Sequence, residues 1–201
     1  GWCNEEVNDA IIKQVKKFGH LDYKMWSDEN TELLADILLS KREHKLDRVY
    51  FSGNSGSEAC EAAMRMSYQC HYDRGFKSKK WFISRKQSYH GSTADALSLG
   101  ERPNLEFFRG QLSPFRAQIE MHHPLYNRNK GETVTEYAIR SAQQLEEKIL
   151  EIGPENVAAF VGETIMGGLV GNVPPAKTYW QSIRKICDKY EIHLILDEVY
   201  C

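Results

Sequence analysis

No long apolar run, no excess of either charge and no paired-cysteine spacing occurs in this sequence, and each absence excludes a class of function. Nothing approaches the ~20 consecutive apolar residues of a membrane span. Lysine and arginine number 26 against 28 aspartates and glutamates, a formal net charge of −2. That balance offers no basic footprint for nucleic acid or an anionic membrane surface. The cysteines (Cys3, Cys60, Cys70, Cys187, Cys201) are odd in number and never spaced C-x-x-C. Reduced thiols in a cytoplasmic protein are therefore expected, not a disulfide framework or a zinc site. A Walker loop and a G-x-G-x-x-G fingerprint are both missing. The first residues, Gly1-Trp2-Cys3-Asn4, lack a methionine and do not read as a secretory signal. Truncation at the front, or removal of a tag, would leave such a start.

What is present suits a globular protein. The 201 residues are 41% hydrophobic and 27% charged, enough for one domain with a sizeable core. Asn4 to Lys17 and Thr31 to Lys41 carry apolar residues at helical spacing. Short strands are expected at 48–52, 80–84, 157–161 and 192–196, with helices at 57–72, 92–99, 135–151 and 178–190 between them. Ala59, Ala62, Ala63 and Met66 are expected to face a sheet, and so are Ala138, Ile139, Ala142, Leu145 and Ile149. The stretch from Gly100 to Thr133 shows little periodicity and reads as a long surface excursion or a partner-facing segment. Its His122-His123 pair has no third ligand at sensible spacing, so a solvated loop is expected and no metal. Strands that are apolar throughout, alternating with helices, indicate an α/β fold with a mainly parallel sheet covered on both faces.

Ligands in such sheets bind beyond the carboxyl ends of the strands. Four segments there carry suitable chemistry. Gly53-Asn54-Ser55-Gly56-Ser57-Glu58 feeds a helix N-terminus, where free N–H groups and hydroxyls can hold an anion. The Ser55-x-x-Glu58 spacing fits a plain capping box equally well. In Gln87-Ser88-Tyr89-His90-Gly91 an aromatic ring can stack on a heteroaromatic ligand, or simply pack in a turn. Glu163, followed by Thr164-Ile165-Met166-Gly167-Gly168, is either a salt-bridge partner or an active-site carboxylate. Asp197-Glu198 stands directly after the apolar run Ile192–Leu196, where a carboxylate is costly to desolvate without a cation or a ligand.

The runs Ser55-Gly56-Ser57-Glu58-Ala59, Tyr89-His90-Gly91 and Leu196-Asp197-Glu198-Val199 together resemble the class III aminotransferases, of fold type I. The resemblance covers nearly the whole chain and implies pyridoxal 5'-phosphate (PLP) as cofactor. It implies that Gly56 and Ser57, with Ser55 beside them, hold the phosphate. Tyr89 stacks on the ring with His90 as its neighbour, Glu163 lies near the ring, Asp197 keeps the pyridine nitrogen protonated, and Val199 packs on the ring face. Gly167-Gly168-Leu169 departs from members that carry a second glutamate in this turn to handle an amino-acid substrate.

The expected activity is transfer of an amino group from an amine or amino acid to a 2-oxo acid, by a cytoplasmic homodimer. A PLP decarboxylase, racemase or aminomutase of the same fold, and a non-catalytic PLP-binding relative, remain alternatives. Residues 1–45 are expected as a helical lead-in. Residues 46–201 are expected as part of the PLP-binding large domain, stopping before the lysine that carries the cofactor. On that reading the chain alone is an inactive fragment.

Overall fold

The computed structural model describes residues 2–22, 25–40, 46–101 and 103–201. The chain divides into two compact units, Gly1–Phe51 and Ser52–Cys201.

The first unit holds two helices, α1 (Glu5–Lys17) and α2 (Glu29–Ser40). Asn4 caps α1 by accepting the Val7 N–H at 3.0 Å, and Glu5, Glu6, Lys16 and Lys17 complement the helix dipole. Asp28 opens α2 by accepting the Asn30 N–H at 2.9 Å. The apolar residues that gave both helices their periodicity, Ile11 and Ile37 among them, are more than half exposed (56% and 58%). Lys41, the expected end of α2, lies outside the described residues, as does the proposed boundary at residue 45. The strand expected at 48–52 is not formed. A β-prone run becomes a strand only where a neighbour takes up its N–H and C=O groups, and no described residue pairs with this one.

The second unit is built on four strands: β1 (Trp81–Arg85), β2 (Arg116–Ile119), β3 (Val157–Glu163) and β4 (His193–Asp197). All pairings are parallel, in the order β2-β1-β3-β4. β3 is buried over its full length, as its unbroken Val-Ala-Ala-Phe-Val run requires of a strand covered on both faces. On one face Ile83 and Phe160 pack with Ala138, Leu145, Ile183 and Cys187 of helices α5 (Val134–Ile152) and α6 (Lys177–Lys189). On the other, Phe82 and Val161 meet Met64 of α3 (Gly56–Asp73) and Leu99 of α4 (Ala94–Leu99). Each such fully buried aliphatic side chain stabilises the fold by about 1.5–3 kcal/mol.

Three expectations change in register or kind. The buried face of α3 is Ala62, Met64, Ser67 and His71, while Ala59 and Met66 face outward (Met66 43% exposed). His71 earns its burial by hydrogen bonding the Ala158 carbonyl at 2.9 Å, so a polar residue continues the stripe. On α5, Ile139 is 49% exposed, one step of about 100° round from buried Ala138. The segment after Gly100 is not simply an excursion. It contains a 3₁₀ helix (Pro103–Gln111) and the edge strand β2. His122 and His123 are buried, not solvated. His122 stacks on Tyr137 and Tyr179, 4.9 and 4.2 Å between ring centres, and its Nδ1 meets the Ser141 hydroxyl at 3.0 Å.

Candidate functional site

Parallel pairing brings the carboxyl ends of β1, β3 and β4 to one edge, and the loop after β1 ties that edge to the first turn of α3. The tie depends on Gly91, whose φ is +143°. A Cβ there would stand 2.7 Å from the Ser57 hydroxyl oxygen and 2.9 Å from Ala96 Cβ, so only glycine permits this approach. Gly91 thus lets the loop approach the helix itself. Next along, the Ser92 N–H donates to Ser57 Oγ at 3.0 Å.

Immediately before Gly91, His90 Nδ1 lies 2.9 Å from Asp197 Oδ2. The His90 side chain is fully buried and that of Asp197 is 15% exposed. The Val199 N–H donates to Asp197 Oδ1 at 3.3 Å, and the Asp197 carbonyl accepts from Thr164, extending the β3–β4 ladder. Burial pushes the Asp197 pKa up. The hydrogen bond and charge of His90, with the Val199 amide, outweigh it and hold Asp197 below its usual value. Asp197 is therefore an anion at neutral pH in a poorly solvated place.

Cys60 Sγ is 3.9 Å from the same Asp197 oxygen. Burial, followed by the charges of Asp197 and Glu61, pushes its thiol up to about 12, so it stays protonated. Glu163 is 3% exposed. Burial raises its pKa against the opposing pull of His90, Arg85 and the Tyr89 and Gly167 amides. Its Oε2 has no hydrogen-bond partner among the described residues. Arg85, fully buried, donates through Nη2 to the Glu163 carbonyl oxygen and lies 5.4 Å from the Trp180 ring centre. It braces the end of β3 from behind.

The helix cap expected at Ser55 is real. Ser55 Oγ accepts the Glu58 N–H at 3.3 Å, and the Glu58 carboxylate turns back to accept the Asn54 N–H at 2.6 Å, one residue beyond the Ser55 N–H of the usual reciprocal bond. The first intrahelical bond of α3 runs from Ala59 to the Ser55 carbonyl at 3.2 Å. The Gly56 and Ser57 N–H groups precede it and face the positive end of the helix dipole. Nothing lies within 4 Å of where a Gly56 Cβ would stand. Tyr89 is 40% and Val199 76% exposed, both beside this edge in the chain.

The structure thus joins Ser57 to Ser92, His90 to Asp197, and Tyr89 to Glu163. Arg85 and Cys60 were not anticipated. Arg85 carried a signal, being a charge at the end of an apolar run. Cys60 carried none, because its neighbour is 137 residues away.

These residues fit a planar aromatic ligand with a basic ring nitrogen and an anionic tail: a buried carboxylate for the first, an open helix N-terminus for the second. Comparison with known proteins agrees. The family model described as "Aminotransferase class-III" matches residues 1–201. An uncharacterized aminotransferase of Schizosaccharomyces pombe is 39% identical over 200 residues, 99% of this chain and 43% of the relative. The mitochondrial gamma-aminobutyrate transaminase 1 of Oryza sativa subsp. indica is 36% identical over 206 residues, 98% of this chain and 40% of the relative. Among solved structures, the PMP-bound form of an aminotransferase from Vibrio fluvialis superposes with a TM-score of 0.88 at 32% identity, covering 98% of this chain and 43% of that one. The chain therefore spans about two fifths of the length of the curated relatives it matches.

Proposed function

Because the chain belongs to the class III aminotransferases, a family that depends on PLP, we propose that it supplies the cofactor-binding edge of an enzyme moving an amino group from an amine or amino acid to a 2-oxo acid. The observation that carries this reading is the His90–Asp197 pair, 2.9 Å apart, set at the carboxyl ends of the strands. Bound PLP supplies an electron sink that takes up charge as a proton leaves the substrate carbon.

The chain's own residues hold that sink in working order. Asp197, kept ionised by His90, holds a proton on the ring nitrogen. The Gly56 and Ser57 N–H groups, with the hydroxyls of Ser55 and Ser57, bind the phosphate at the start of α3. Tyr89 would stack on the ring, Val199 would pack against it, and Glu163 would lie near it. All of these lie within the unit Ser52–Cys201. This supports assigning 46–201 to the cofactor-binding domain and 1–45 to a helical lead-in.

The lysine that carries the cofactor is, on this reading, none of those in the chain. Lys79 Nζ is held by the Pro154, Val157 and Tyr190 carbonyls; Lys86 pairs with Glu120, Lys148 with Glu151 and Lys189 with Glu146. We also propose a homodimer, supported by the exposed aromatics Phe107, Phe108, Phe115 and Tyr126 between α4 and α5. A cytoplasmic setting is supported by five free cysteines. Among the described residues no helix is long and apolar enough to cross a membrane.

The test is to assay the full-length protein with primary amines and ω-amino acids, 4-aminobutyrate included, against pyruvate and 2-oxoglutarate. Amino transfer is expected with at least one pair. Release of carbon dioxide or racemised product without transfer would place the protein in another reaction class. Borohydride reduction of the PLP-loaded protein should label a lysine outside residues 1–201, and a label on Lys79 or Lys86 would overturn that assignment.

A further inference from the structure

Cys60, His90 and Asp197 come from three different elements, the second turn of α3, the loop after β1 and the end of β4. Among the described residues they are the one group whose sulfur, nitrogen and oxygen atoms all lie within 4.8 Å of one another. The Asp197 oxygen sits 2.9 Å from His90 Nδ1 and 3.9 Å from Cys60 Sγ. Tetrahedral zinc, with bonds of about 2.0 Å to nitrogen and oxygen and 2.3 Å to sulfur, sets one sulfur, one nitrogen and one oxygen ligand roughly 3.3–3.5 Å apart. The third separation, His90 Nδ1 to Cys60 Sγ, is at most 4.8 Å, so side-chain shifts of about an ångström bring all three into range. The backbone that positions them is fixed by the β3–β4 ladder and by the contact of Gly91 with Ser57.

We propose that these three side chains form a binding site for a thiophilic divalent cation, Zn²⁺ or Cd²⁺, on the same carboxylate that the cofactor reading gives to the ring nitrogen. The cation binds the Cys60 sulfur as thiolate, the thiol proton leaving to solvent. Imidazole nitrogen and carboxylate oxygen complete three positions, and water takes the fourth. Two anionic ligands cancel the dication's charge, which suits a half-buried place where an uncompensated ion would be costly. Sulfur makes the site selective. A carboxylate and an imidazole alone would take many divalent ions, whereas the thiolate favours soft ones over Mg²⁺ or Ca²⁺. Cation and cofactor then exclude each other. That exclusion rests on the cofactor reading; the cation site does not.

The experiment uses the cofactor-free chain with the three exposed thiols removed (Cys3→Ser, Cys70→Ser, Cys201→Ser) and Co²⁺ as the coloured probe. One equivalent should produce a near-ultraviolet thiolate-to-cobalt band and visible bands of a four-coordinate ion, both bleached by Zn²⁺ and untouched by Mg²⁺. Cys60→Ala should abolish the near-ultraviolet band, and Asp197→Asn should weaken binding by about 100-fold. Far-ultraviolet circular dichroism checks that each variant folds. Should either fail to fold, protection of Cys60 from maleimide by Cd²⁺ in the parent reads the same site. Absence of the thiolate band in the parent, its persistence in Cys60→Ala, or no protection by Cd²⁺ overturns the proposal. Saturating PLP should raise the Co²⁺ concentration needed for half-occupancy at least tenfold. If cobalt binds through Cys60 equally well with PLP present, the cation site stands and the assignment of Asp197 to the cofactor falls.

Discussion

The two ends of the sheet both bury charge, and they treat it in opposite ways. At the amino ends of the strands Lys79, 4% exposed, donates to the carbonyls of Pro154, Val157 and Tyr190 at 3.2, 3.1 and 3.2 Å. Burial lowers its pKa, and the charge of Glu191 opposes that. Three donors meet three acceptors, so the protein itself satisfies this charge, although the nearby His71 Nδ1 has no hydrogen-bond partner among the described residues. At the carboxyl ends Glu163 and His90 are equally buried, yet Glu163 Oε2 and His90 Nε2 find no partner among the described residues. Unpartnered buried atoms occur elsewhere too, His71 and His122 among them, but at this edge they stand beside the buried carboxylate of Asp197, where a bound ligand would complete them. Buried charge alone marks neither structure nor function; what separates the two ends is whether the protein itself satisfies it.

The contrast can be broken first at the amino ends. Lys79→Met removes the donor from three carbonyls, and breaking such a buried charged network costs about 3–4 kcal/mol. Urea unfolding should show that loss, while PLP affinity measured well below the new midpoint stays within twofold. A large drop in affinity with little loss of stability would mean that Lys79 belongs to the functional end.

A buried histidine of the core sharpens the point through pH. Burial, aided by the charges of Arg85 and His123, holds His122 at about 4 against an ordinary 6.5. Between those values the unfolded chain takes up a proton that the folded chain refuses. Stability from this site is therefore full above about pH 6.5 and lost as pH falls toward 4, by roughly 3 kcal/mol. His122→Phe should flatten that part of the profile. An unchanged slope would show that other groups carry it, His193 being the first candidate since burial also holds it at about 4.

The smallest effect is expected at the open end. Gly91→Ala forces a side chain into a φ of +143° against Ser57, for a loss of about 2 kcal/mol. Because the Ser92–Ser57 tie goes with it, phosphate or PLP affinity should fall more than stability does. Equal losses would reduce Gly91 to a packing residue.

The same contrast explains what was legible beforehand. β1, β3 and β4 each carry an apolar run (Trp81–Ile83, Val157–Val161 and Leu194–Leu196), and each run leads into residues whose polarity makes no sense in a core, so Tyr89, Glu163 and Asp197 could be picked out one strand at a time. β2 could not, since Arg116-Ala117-Gln118-Ile119 is a four-residue edge strand with a single neighbour and no apolar run to announce it. The segment at 48–52 erred the other way, carrying the composition of a strand without a neighbour among the described residues. His122 looked solvated because its burial comes from Tyr137 and Tyr179, aromatic partners on helices read separately, while the ring of His123 stacks on Tyr126. Cys60 beside Asp197 is a property of the sheet order, which no local pattern encodes.

The most direct test of the open end is the protonation of the ring nitrogen that Asp197 is assigned to hold. Full-length protein saturated with ¹⁵N-labelled PLP at pH 8 should give a pyridine-nitrogen resonance at the position of the protonated ring. In Asp197→Asn, which keeps the shape and removes the charge, it should move to the unprotonated position. An unprotonated nitrogen in both proteins, or a protonated one in both, would contradict the role assigned to Asp197.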